Sequence, residues 1–143
     1  MAAQWMLSDA WVFSSVEGTG PDDGSTLVRV IANADLINHA VLTEAEFLQA
    51  VARLVAAGLI GAEAEADRYW CTDAGRALYQ QGMKRRGLFG WIDAIPPALN
   101  RLGEPQDKAW SLPLGAFDRA IEEYSREAHA LADPHHRQRR KES

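Results

Sequence analysis

A single cysteine, Cys71, stands in the 143 residues, so no disulfide can close within the chain and a reducing compartment is the simpler setting. No apolar run approaches the roughly 18 residues that a membrane-spanning helix needs. The opening MAAQWMLSDAWVF has neither the positive region nor the long apolar stretch of a secretion signal. These absences predict a soluble, cytoplasmic protein with no membrane partner. Basic side chains are scarce where they would matter for nucleic acid. Residues 1–81 hold four (Arg29, Arg53, Arg68, Arg76) against eleven acids, a local charge of −7, whereas residues 82–143 hold eleven against nine, or +2. A nucleic-acid reader usually carries the reverse balance in its binding domain.

Reactive groupings are missing too. His39, His129 and the pair His135-His136 share no metal-ligand spacing. No histidine lies close in sequence to Cys71, which reads as a small buried apolar residue rather than a nucleophile. Asp22-Asp23 fall short of an oxygen-ligand set, and Gly18-Thr19-Gly20 follows no strand of the kind a phosphate-cradling loop requires. No catalytic constellation, metal site or cofactor site is predicted, and the expectation is a protein that is not an enzyme. What is present is an ordinary globular inventory, 47% hydrophobic and 24% charged, sufficient for one core.

Apolar spacing and capping signals order the first part of the chain. A first helix is predicted over 4–16, capped by Ser8 or Asp9, with Trp5, Leu7, Trp11, Val12 and Val16 available for burial. EGTGPDDGS at 17–25 is a loop by its Gly, Pro and Asp content. A second helix over 26–38 puts Leu27, Val30, Ile31, Ala34 and Ile37 on one face. Thr43 and Glu46 form a capping box for a third helix. Phe47, Val51, Leu54 and Val55 line its inner face, while Glu44, Ala45, Gln49, Ala52, Arg53 and Ala56 point mainly outward. Gly58 stops it. Strands over 59–62 and 68–71 flank an acidic tip, EAEAD, and Thr72 caps a fourth helix to about Gln81.

Beyond Gly82 the pattern loosens. A short helix over 88–95 meets Pro96-Pro97, expected to interrupt it because neither proline offers an N–H. GEPQDKAWSLP reads as a linker. Leu114, Phe117, Ile121, Tyr124, Ala128 and Leu131 form a narrow stripe on a last helix over 114–131. DPHHRQRRKES closes the chain as a disordered basic tail, 133–143.

The run T-E-A-E-F-L-x-A-V-A-R-L-V-A-A-G-L-I, followed by R-Y-W-C-T-D-A-G-R-A-L-Y, resembles the winged helix-turn-helix proteins of the MarR and PadR type over about residues 5–86. The resemblance implies a mainly α fold with a small β-ribbon: a winged-helix domain over 1–86, extended by C-terminal helices over 87–132. It also implies a transcriptional regulator whose third helix enters the major groove, with Thr43, Glu44, Ala45, Gln49 and Arg53 facing DNA and the wing at 63–67.

Charge opposes that use. Glu44 and Glu46 lead the third helix, and Glu63, Glu65 and Asp67 mark the wing, whereas phosphate neutralisation by Lys and Arg supplies most affinity for a duplex. Glu44 and Glu46 also have a bland role beside the positive end of the helix dipole. The reading is therefore a non-catalytic protein-interaction module, able to bind a protein partner or a second copy of itself, with Trp91, Trp110, Phe117, Ile121 and Tyr124 as its contacts. Tryptophan is enriched among interface anchors, although these side chains have the alternative of packing onto the first domain. The runner-up is a DNA-binding regulator contacting DNA through Gln49, Arg53, Arg68, Lys84, Arg85 and Arg86. A more distant third is a small-molecule sensor with a pocket between the two halves.

Overall fold

The computed structural model describes residues 3–132; the basic tail expected over 133–143 lies outside them. Six helices and one two-stranded antiparallel ribbon follow in order: α1 (Leu7–Ser15), α2 (Leu27–Asn38), α3 (Glu44–Ala56), β1 (Ile60–Glu63), β2 (Arg68–Cys71), α4 (Asp73–Met83), α5 (Trp91–Asn100) and α6 (Ala116–Ala132). The protein is thus mainly helical with a small β-ribbon. Among the described residues no helix is long and apolar enough to cross a membrane.

Capping chemistry sets most boundaries. The Thr26 side chain accepts from Arg29 N at the start of α2. At α3 the box is reciprocal: Glu46 N donates to Thr43 Oγ1 at 3.2 Å and Thr43 N to Glu46 Oε1 at 3.1 Å. Gly58, with φ +75°, turns the chain after α3 into β1, a conformation that costs a residue without Cβ little. The ribbon pairs Ile60 with Cys71 through to Glu63 with Arg68. Its outer side is closed by Ser25, which exchanges two backbone bonds with Tyr69 at 2.6 and 2.8 Å.

The T-x-x-G step after β2 acquires a reason. Thr72 Oγ1 accepts from Gly75 N at 3.0 Å and donates to Gly58 O at 2.6 Å. Thr72 N donates to Leu59 O at 3.1 Å. One residue therefore caps α4 and ties it to the turn after α3. Gly75 lies so near that turn that a Cβ would sit 1.9 Å from Leu59 O.

Three expectations are corrected. Helix α1 begins later than Gln4, and Asp9 is not its cap but its third residue, accepting from Met6 N at 2.8 Å. Pro96 and Pro97 lie inside α5 rather than ending it. They remove the N–H groups that would reach Ile92 and Asp93, both exposed, where water can satisfy the freed carbonyls. The opposite face buries Trp91, Ala94, Ile95, Ala98 and Leu99, and that burial outweighs two missing bonds. Leu88 and Phe89 precede α5 in a turn, and Leu114 precedes α6, 98% exposed.

One contiguous core runs from Ala10 to Ala120. Helix α1 packs against α2, α3 and α5, α2 against α6, and α4 against α5. Under the ribbon four rings meet edge to face or tilted: Phe47 lies 5.4 Å from Tyr69, 6.0 Å from Trp110 and 5.9 Å from Phe117, and Tyr69 lies 6.0 Å from Trp110. Such pairs add about 0.5–1.5 kcal/mol each beyond their area. They bind the extended segment before α6 to the α3–β2 layer.

Gly75→Ala is expected to destabilise by about 1–3 kcal/mol, because the added methyl meets a backbone carbonyl that cannot rotate away. Urea denaturation checks this, with Gly58→Ala as a comparison whose cost comes from its left-handed backbone alone.

Candidate functional site

The surface that the winged-helix resemblance nominates for DNA is the outer side of α3 with the ribbon tip. Its charge is decided by Arg53, the one cation of α3. Expected to point outward, Arg53 is instead 5% exposed. Its Nη1 donates to Gln4 O at 2.7 Å and to Asp9 Oδ2 at 3.0 Å, and its Nε donates to Asp107 Oδ1 at 2.7 Å. The reversal has a physical cause. Asp9 is fully buried in the first turn of α1, and a buried carboxylate demands a paired cation far more strongly than a solvated helix face does. Arg53 is the α3 residue that faces it.

Burial works against the charge of the guanidinium, but the hydrogen bonds it donates to Asp107 and Asp9, with their charges, outweigh it and raise the Arg53 pKa. The Asp107 carboxyl is held below the usual carboxylate range by its bond to Arg53. Asp9 Oδ1 has no hydrogen-bond partner, so the pair is constrained at one oxygen and unsatisfied at the other.

With Arg53 withdrawn, the accessible side of α3 consists of Glu44, Ala45 and Val55, all exposed, with Leu48, Gln49, Ala52 and Ala56 half-buried. That face is small-residued and apolar with an acidic leading end. The ribbon tip adds Glu63 and Glu65, both exposed, and the half-buried Asp67. Asp67 Oδ1 accepts from Leu27 N at 2.8 Å, which fastens the tip to the start of α2. Arg68 turns its Nη1 to Asp67 O at 2.9 Å.

The remaining candidates for phosphate contact do not join Arg53. Lys84, Arg85 and Arg86 are exposed at the turn between α4 and α5, and Gln49 stays half-buried on α3.

The aromatic candidates for a partner surface take the other course open to them and pack within the chain. Trp91 and Phe117 are buried, and Trp110, Ile121 and Tyr124 pack against the core of the same chain. Trp91 Nε1 donates to Ile37 O at 3.5 Å. Tyr124 donates its hydroxyl proton to Asp35, and that bond, helped by burial, raises the phenol pKa. The stripe on α6 closes onto α2, because a single amphipathic helix lowers its free energy on the nearest apolar face.

The exposed apolar groups that sequence spacing missed lie elsewhere. Leu88 is 91% and Phe89 65% exposed at the tip of a tight turn. Burial pushes the Cys71 thiol up, as suits a packed side chain rather than a nucleophile.

The ion pairs predict an acid-side dependence. A carboxylate whose folded pKa is depressed contributes stability that is present above its unfolded pKa and lost as pH falls through the folded value. Asp107→Asn is therefore expected to lower Tm at neutral pH, with the difference from the parent vanishing below the carboxylate range. Arg53→Met leaves Asp9 buried and unpaired and is expected to cost about 3–5 kcal/mol. Adding Asp9→Leu recovers part of that loss, as chemical denaturation of the three chains would measure. Comparison with known proteins adds no relative to this geometry: no protein family, curated protein or solved structure matches the chain.

Proposed function

We propose that this chain is a winged helix-turn-helix protein that binds other proteins rather than DNA, without catalysis. The order α1, Ser25 bridge, α2, α3, β1, β2 supports the winged-helix reading. A helix-turn-helix is followed by a ribbon whose third strand is reduced to one residue pair. The resemblance of the α3-to-α4 segment to MarR and PadR proteins points the same way.

The observation that carries the functional half is the burial of the Arg53 guanidinium between Asp9 and Asp107. A helix that enters the major groove needs cations to bring the polyanion near. On the described part of α3 the only one is locked inside, and Glu44, Glu46 and the tip acids remain. Ala45, Ala52 and Val55 offer the low-charge, close-approach surface typical of the centre of a protein interface.

Fluorescence anisotropy with random-sequence duplex at low salt tests this. The expected result is no binding at protein concentrations where DNA readers saturate. Affinity that falls steeply as salt rises, and that drops in Arg85→Ala/Arg86→Ala, would make the chain a DNA-binding regulator and overturn the proposal.

A further inference from the structure

Leu88 and Phe89 occupy the tip of a two-residue turn closed by the Gly87–Gly90 bridge, with Gly90 N donating to Gly87 O at 3.2 Å. Phe89 N donates to Asp93 Oδ2 at 2.9 Å, and a Cβ on Gly87 would lie 2.6 Å from that same oxygen. The turn is thus held in shape by the first turn of α5. It presents two large apolar side chains to water, with Ile92 (37% exposed) beside them and Lys84, Arg85 and Arg86 exposed immediately before them. A rigid turn that projects apolar groups with three cations at its base is a shape that inserts into something apolar and acidic.

Such a surface exists on the same molecule. Between α2, the ribbon tip and the start of α6 lies a groove of about 290 Å³. Val28, Leu112, Ala116 and Ala120 supply its apolar walls, and Glu65, Asp67 and Glu123 its acidic rim. The adjoining hollow of about 240 Å³ continues the rim with Glu127. Together the two linings hold four carboxylates against Arg29 and Arg119. Of these cations Arg29 lies 3.6 Å from Glu17, and Arg119 turns its Nη1 to Leu114 O. The two linings thus carry an excess of negative charge.

The groove belongs to the N-terminal end of α2, at Leu27 and Val28. The turn belongs to the other end, since Trp91, next to Gly90, reaches Ile37 O. Ten residues of helix separate Leu27 from Ile37, a rise of about 15 Å, so the turn cannot enter the groove of its own chain. We infer that the Leu88–Phe89 turn of one copy docks into the α2–α6 groove of a second copy, with Lys84–Arg86 against the acidic rim. The contact pairs unlike surfaces and each copy carries one of each, which permits head-to-tail growth into rings or filaments as well as a reciprocal pair. The inference goes beyond the protein-binding reading above, since it uses the turn and the α2–α6 groove rather than the outer face of α3.

Sedimentation velocity on the whole chain, at concentrations that reveal dissociation constants up to about 1 mM, tests it. The expected result is concentration-dependent association that weakens with salt. Leu88→Ser/Phe89→Ser and, separately, Ala120→Arg/Glu123→Lys should each lower the association constant at least about tenfold. Mixing these two variants should restore dimers that grow no further, because only one intact turn and one intact groove remain per pair. The turn variant changes side chains that touch little, so unchanged circular dichroism and Tm keep it interpretable if the groove variant misfolds. A strictly monomeric parent, association indifferent to the turn variant, or a mixture that stays monomeric would each overturn the inference. So would binding of phosphatidylserine vesicles that is lost in the turn variant, which would assign the turn to lipid. None of these outcomes involves duplex DNA, so the protein-interaction reading stands or falls separately on the anisotropy experiment.

Discussion

The pairing of Arg53 with Asp9 and Asp107 ties together four separate segments of this molecule. It joins the segment before α1, the first turn of α1, the last turns of α3 and the extended stretch before α6, residues 44 to 54 positions apart in sequence. A buried carboxylate without its cation would be costly by several kcal/mol, so the positions of α1 and α3 are coupled. The same contact determines what α3 shows to the outside. A cation turned inward to satisfy a core carboxylate is no longer available at the surface, and structural demand and surface chemistry are settled by one side chain.

Local signals in the chain were strong enough to reveal most of the architecture. Capping at Thr26, Thr43 and Thr72, the stop at Gly58 and the second strand at Arg68–Cys71 all lie where short-range chemistry places them. Signals that depend on distant partners were not legible. Nothing near Arg53 in sequence announces Asp9 or Asp107, and a lone arginine on a helix reads as solvated by default. Pro96-Pro97 misled for a related reason: the prolines do remove two backbone donors, but the apolar face from Trp91 to Leu99 supplies tertiary burial that local rules do not count.

The segment from Trp110 to Leu112 has the composition of a linker. In the structure it is an extended strap whose Trp110 completes the ring cluster over Phe47 and Tyr69. The C-terminal half therefore contributes to the same core as the ribbon. Leu88 and Phe89, two of the exposed large apolar groups, are masked in the sequence by their nearness to a helix whose true start is Trp91. Burial had to be known before exposure could become informative.

The short partner that Ser25 provides to β2 has a consequence for how this protein can be joined by others. Tyr69 uses both its backbone groups on Ser25, and Cys71 N donates to Gly18 O at 3.1 Å. The loop before α2 thereby seals the flank of β2, leaving an incoming peptide no vacant amides there with which to lengthen the sheet. Recognition that proceeds by side chains, on helices and turns, is what this geometry leaves open on that flank, and the loop doubles as a guard against edge-to-edge aggregation.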